Sequence, residues 1–173
     1  YLIQEKWEKA RDKSVEIIDN SHHHLLDDYG EVFHHPEDEF NDEIIWSIVF
    51  VKDENPTINT SLFSPRLRDE PADPSKRDSL EADLEARGEA FTGYGLAIPK
   101  CGFVDEFPED DLRRPHNIAE SYLGYELKFP YMPKMWNLSE QQSPRQNHGE
   151  NYIIFRLADV YLMAAEAGVD FVL

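Results

Sequence analysis

Histidines gather early in this sequence, at His22, His23, His24, His34 and His35, with carboxylates close by. Such a set can hold zinc or another divalent ion. Three histidines in a row point in different directions, however, and the i, i+4 pair of an HExxH helix is absent. A wet loop is the stronger reading. The run DEFPEDD offers Asp105, Asp110 and Asp111 to calcium, but it lacks the spacing and the turn glycine of an EF-hand loop. Its plainer reading is a solvated turn, with a carboxylate capping a helix start near Pro108. No metal or other cofactor is expected, calcium at this run being the one candidate.

Nucleophilic chemistry has less support. There is no GxSxG elbow, and the 35 acidic residues are too many for any two to stand out as a catalytic pair. Cys101 has no neighbours that mark it as a nucleophile and reads as a small buried residue. An enzyme is not expected. The aromatic residues on irregular sequence are more informative: Phe63, Phe91, Tyr94, Tyr122, Tyr125, Tyr131 and Trp136. Rings stack on the C–H faces of sugars, and nearby polar side chains satisfy the hydroxyls. Most such rings pin loops to a core, so composition alone does not establish glycan binding.

The bulk numbers narrow the field. At 173 residues the chain can bury a real core, and 40% hydrophobic residues is a globular value. A net charge of −18 repels phosphates and anionic lipid, which argues against nucleic acid as a partner. One cysteine forbids an intramolecular disulfide. No apolar run approaches the roughly 20 residues that span a bilayer. The sequence opens on Tyr1, with neither an initiator Met nor a leader, so residue 1 is not expected to be the start of the gene product.

The elements that would position these residues lie at the two ends. In YLIQEKWEKARDKSVEIIDN, Ile3, Trp7, Ala10, Ser14 and Ile17 recur at helical spacing, predicting a helix over 1–20. Residues 21–150 read as a loop-rich excursion. Within it, EIIWSIVFV (43–51) predicts a short buried strand, and the stretch after Pro74 a surface helix with a thin stripe, Leu80 and Leu84. Pro130 and Pro133 argue against a long helix in the aromatic-rich stretch before residue 139. Residues 151–173 predict a second long helix. Phe155, Ala158, Leu162 and Ala165 line one apolar face, and Ile154, Leu157, Tyr161 and Ala164 another. A helix apolar on two faces needs cover on both, so 155–169 should be helical with one face poorly covered.

This closing stretch also carries a resemblance. IFRLADVYLMAAEA (154–167) resembles the helix signature of the SusD/RagB family of outer-membrane nutrient-uptake lipoproteins. Arg156, Ala158, Asp159, Leu162, Met163, Ala165, Glu166 and Ala167 follow its order. Other landmarks come in sequence. Phe33 follows the first helix, and Asn41, Glu43, Ile44, Ile45 and Trp46 match an Asn-x-Glu-apolar stretch. Val104, Asp105, Phe107, Asp111 and Arg113 match a Val-Asp-x-Phe then Asp-x-Arg segment, and Lys128 and Phe129 a later strand.

The resemblance implies a mainly α fold of TPR-like helix pairs, a SusD-like α-solenoid, with a long loop-rich excursion containing short strands. Residues 1–173 would form a single partial domain: helix 1–20, ligand-binding excursion 21–150, helix 151–173. It implies capture of an oligosaccharide, or of a peptide, and non-catalytic delivery to a TonB-dependent, SusC-like transporter. The alternative is a helical scaffold of the transporter complex that binds no glycan directly. Family members are surface-exposed on the outer membrane through a lipidated N-terminal cysteine. Cys101 is mid-chain and cannot be that residue, so the anchor would lie outside this sequence. Among the rings, Phe63, Phe91, Tyr94 and Trp136 are the expected ligand contacts. Arg156, Asp159 and Glu166 read as structural.

Overall fold

A computed structural model describes residues 1–33, 41–139 and 146–168, with the side chain of Cys101 left aside. His34, His35, Pro36, Phe40 and the end of the expected closing helix lie outside the described residues. The described residues divide into two compact units, one of 1–28, 41–48 and 151–168, the other of 29–33, 49–139 and 146–150.

The first unit begins with a 3-10 turn, Leu2–Gln4, and then α1, Trp7–Asn20. Glu5, in the left-handed region at φ 53°, separates them, so the expected helix over 1–20 starts at Trp7 and leaves Ile3 fully exposed. Ala10 and Ser14 are the buried residues of α1. The strand β1, Ile44–Ile48, confirms the β-rich reading of 43–51 but is shorter. Its antiparallel partner is β4, Tyr152–Arg156, in the register Ile44↔Arg156 and Ile48↔Tyr152. β4 corrects the expected closing helix, which begins only at Leu157 as α6, Leu157–Glu166, and lies against α1. Two forces separate strand from helix here. The residues YIIF suit a pleated surface, and Asp159 accepts from the Arg156 backbone N–H at 2.9 Å, which marks Arg156 as the N-cap.

β1 is also less covered than expected. Trp46 is 57% exposed and stacks at 6.0 Å on Phe155, itself 42% exposed. α6 buries Leu157, Val160 and Ala164, whereas Leu162 on the other side is 67% exposed. One face of this helix is therefore open, as its two-sided pattern predicts.

The second unit holds α2 (Asn59–Phe63), α3 (Arg77–Ala86), α4 (Cys101–Val104), α5 (Arg114–Asn117) and the antiparallel pair β2 (Ala119–Tyr122) and β3 (Tyr125–Tyr131). The β2–β3 hairpin turns on Leu123 and Gly124, both at positive φ, as the right-handed strand twist requires of a two-residue loop. The expected surface helix α3 is more deeply embedded than its thin stripe suggests. Leu80 and Leu84 pack with Phe91, Ala119, Leu127, Tyr131, Trp136 and Leu138 in one core. Two leucines one turn apart suffice because α3 presents a single edge to the hairpin. The loop-rich excursion thus has a core of its own.

Inside that core sits a buried carboxylate. Glu70 accepts hydrogen bonds from the Tyr131 hydroxyl at 2.8 Å and from the Lys128 backbone N–H. Burial pushes Glu70 above the ordinary carboxylate value, and burial beside Glu70 raises the Tyr131 phenol.

Candidate functional site

Phe91 and Trp136, two of the four expected ligand rings, are 2% and 7% exposed. They meet edge-on at 6.0 Å, and Tyr122 and Tyr131 complete the aromatic cluster around them. Neither offers a face on which a sugar could stack. Their role is support. The Trp136 indole N–H donates to the Phe63 carbonyl at 3.1 Å and so fixes the end of α2.

Phe63 and Tyr94, the other two, are half-buried and belong to segments that lie side by side. Tyr94 donates its backbone N–H to the Ser61 carbonyl at 2.7 Å, Gly95 to that of Ser64 at 3.0 Å, and Leu96 and Ala97 to that of Leu62 at 3.1 and 3.2 Å. Four consecutive amides thus lash the loop 93–97 along α2 and the turn that follows it. Gly93 permits the approach. A Cβ at this position would lie 2.1 Å from the Ser64 carbonyl oxygen, closer than any real contact. Gly95 supplies the left-handed φ of 60° that turns the loop back.

At the crest of this loop stands Leu96, 71% exposed, with Ile58 exposed before α2. Sequence reasoning passed over both, because a leucine in a short apolar run reads as core. For Leu96 the two preceding glycines, Gly93 and Gly95, are the available signal, since they mark a turn. Beneath the loop, the fully buried His148 ring places Nε2 2.9 Å from the Ser61 hydroxyl, and Glu150 accepts from the Thr60 hydroxyl at 3.0 Å. Partly exposed rings, an exposed leucine and nearby amides and hydroxyls suit contact with a ligand's C–H faces and hydroxyls.

The acidic run is differently engaged. Asp111 accepts from the Arg113 guanidinium at 2.9 and 2.6 Å, and these bonds hold its carboxyl down to about 2. Asp105 and Asp110 are exposed. In the first unit, His24 Nε2 lies 3.5 Å from Asp42, and His23 Nδ1 lies 2.9 Å from the Asp42 carbonyl. Among the described residues no group of three His, Cys, Asp or Glu side chains is placed to hold a metal ion. Nor is any helix among them long and apolar enough to cross a membrane.

Of the residues expected to be structural, Arg156 and Asp159 are linked in the first unit, and Arg156 joins Glu43. Glu43, 3% exposed, receives the Arg156 guanidinium at 2.7 Å and the Leu26 backbone N–H at 3.0 Å, and its carbonyl accepts from Leu157 at 2.8 Å. Asn41 accepts from the Glu43 backbone N–H at 3.1 Å. Glu166 is the exposed last residue of α6.

Comparison with known proteins agrees with this arrangement. The SusD family profile matches residues 109–170. A SusD-like protein of Formosa agariphila is 46% identical over 186 residues, covering 96% of this chain and 35% of its own. The chain thus spans about a third of the length of that curated relative. Among solved structures, a laminarin-binding SusD-like protein superposes with a TM-score of 0.73 at 20% identity, over 96% of this chain and 41% of that one. Surface glycan-binding protein A from Bacteroides thetaiotaomicron, in complex with laminarihexaose, gives 0.68 at 19%, over 94% and 38%. Its counterpart from Bacteroides fluxus gives 0.69 at 24%, over 95% and 37%. The family profile, the close relative and the shared fold converge: this chain belongs to the SusD family.

Proposed function

We propose that this protein captures an oligosaccharide at the bacterial cell surface and passes it, chemically unaltered, to a TonB-dependent transporter in the outer membrane. The observation that carries this reading is the fold shared, over 94% of the chain, with a surface glycan-binding protein in complex with laminarihexaose. Tyr94 and Phe63 supply the ring surface, and Phe91 and Trp136 hold them from beneath. In the first unit, α1 and α6 form one helix pair of a TPR-like array, and the open side of α6 around Leu162 receives the next helix. A lipid anchor on the same polypeptide, upstream of these residues, would keep the protein at the membrane.

Isothermal titration of the full-length protein against a panel of oligosaccharides tests the reading. Binding is expected for at least one glycan, with affinity reduced about tenfold in Tyr94→Ala, the loss of about 1.4 kcal/mol that one stacked ring supplies. Absence of heat across the panel, with the protein folded, would count against it.

A further inference from the structure

Residues 55–65 read NPTINTSLFSP and residues 90–99 read AFTGYGLAIP. Neither segment contains Asp, Glu, Lys, Arg or His, in a chain that is 30% charged and carries a net charge of −18. These are the two segments that the amides of Tyr94, Gly95, Leu96 and Ala97 bind together. The fold therefore gathers the charge-free sequence into one surface, with Leu96 and Ile58 exposed and Asn59, Phe63 and Tyr94 half-buried. Among the described residues, the charged groups recorded against it come from outside the two segments, Arg66 forming an isolated bridge with Thr92. Arg66 reaches toward Asp69 at 3.9 Å, Glu150 is bound by the Thr60 hydroxyl, and Lys100 follows the second segment.

We infer that this surface selects an uncharged saccharide and discriminates against acidic ones. The inference rests on the glycan-binding reading above and narrows it. A carboxylate or sulfate brought against this surface loses water and meets no Lys, Arg or His within either segment, and the one arginine beside them, Arg66, reaches toward Asp69. The surrounding negative charge repels it further. A neutral sugar has no such penalty. Its C–H faces cover Leu96 and the rings, and its hydroxyls meet the amide of Asn59 and the phenol of Tyr94.

The test titrates the full-length protein with neutral hexasaccharides (gluco-, manno- and xylo-linked) and with hexauronates, at low and high salt. A neutral hexasaccharide should bind with an affinity that salt leaves unchanged, and the hexauronates at least tenfold more weakly. Leu96→Lys, at a position exposed enough to leave folding intact by circular dichroism, should narrow that gap severalfold at low salt. Hexauronate binding as tight as the best neutral sugar, weakening with salt, would overturn the inference while leaving glycan capture standing. A dimer dissolved by Leu96→Lys without change in any saccharide affinity would overturn it too, by making the surface a subunit contact. Failure of every sugar to bind would bring down the glycan-binding reading and this inference with it.

Discussion

Arg156 donates from Nη1 to Oε1 of Glu43 at 2.7 Å, joining the end of β4 to the start of β1 across 113 residues of sequence. Glu43 is almost wholly buried, and its second carboxylate oxygen is taken by the Leu26 N–H. The pair thus ties three segments of the first unit together. Removing one partner leaves the other charge buried without compensation, at a cost of about 3 kcal/mol or more. Glu43→Ala should therefore lower stability by about 3 kcal/mol in urea unfolding followed by far-ultraviolet circular dichroism. Arg156→Met should cost a comparable amount, and the double variant less than the sum. Strict additivity would show that the two do not act as a pair.

Asp159 has a smaller and separate role. Its carboxylate accepts from the Arg156 N–H and so satisfies a donor where β4 gives way to α6. Asp159→Ala should cost about 1 kcal/mol, the ordinary value of a lost helix cap, and Asp159→Asn should recover part of it. Hydrogen exchange of the first turn of α6 is the direct check. Protection unchanged in Asp159→Ala would remove the capping role.

What could be read in advance follows how local each signal is. β1 was legible because Ile44, Ile45 and Trp46 carry β preference within the strand itself. β4 was not, because Ile154 and Phe155 also fit the helical period of α6, and only pairing with β1 decides between the two. The resemblance marked Glu43 and Arg156 as landmarks, yet nothing in either stretch says that they touch. The rings divide for the same reason. Phe91 and Trp136 lie on irregular sequence, as do Phe63 and Tyr94, but burial is a property of the hairpin and of α3 that close over them. The charge-free character of 55–65 and 90–99 is a property of the sequence, and it acquires meaning only because the backbone brings the two segments together.

Two carboxylates should give the folding equilibrium opposite dependences on pH. Burial raises Glu70 above its ordinary value of 4.5, so the folded state holds this proton more tightly than the unfolded chain. The stability it contributes is fully present below 4.5 and is lost as pH rises through the raised folded value. Asp111 runs the other way. Its folded value of about 2 lies below the ordinary 3.8, so its contribution is present above 3.8 and fades as pH falls toward 2. Glu70→Gln should flatten the decline above 4.5, and Asp111→Asn the acid limb, in thermal melts from acid to neutral pH. A Glu70→Gln profile parallel to that of the parent would refute the assignment.

The core of the second unit offers a plain test of α3. Leu80 has no exposed surface and packs in the cluster with Phe91 and Trp136. Leu80→Ala should cost about 3 kcal/mol, through lost burial and the cavity left behind. A helix lying loosely on the surface, as its thin stripe suggests, would lose under 1 kcal/mol in equilibrium unfolding.

Gly93 is the position where backbone geometry and the candidate site meet most directly. An added methyl would fall 2.1 Å from the Ser64 carbonyl oxygen, and that oxygen already accepts from Gly95. No flexible side chain can yield there, because the obstacle is main chain. Gly93→Ala must push the loop away from the end of α2, breaking one or more of the amide bonds that hold Tyr94 and Leu96 in place. The expected cost is about 2 kcal/mol of stability, within the range for overpacked sites. Glycan affinity should fall by a larger factor than in Gly88→Ala, where the methyl would meet no atom within 4 Å. Gly88 itself has φ 71°, so its variant carries backbone strain without steric collision and serves as the matched control. Equal losses of affinity in the two variants would mean that Gly93 acts through general stability, and that the close approach to Ser64 does not set the position of the loop.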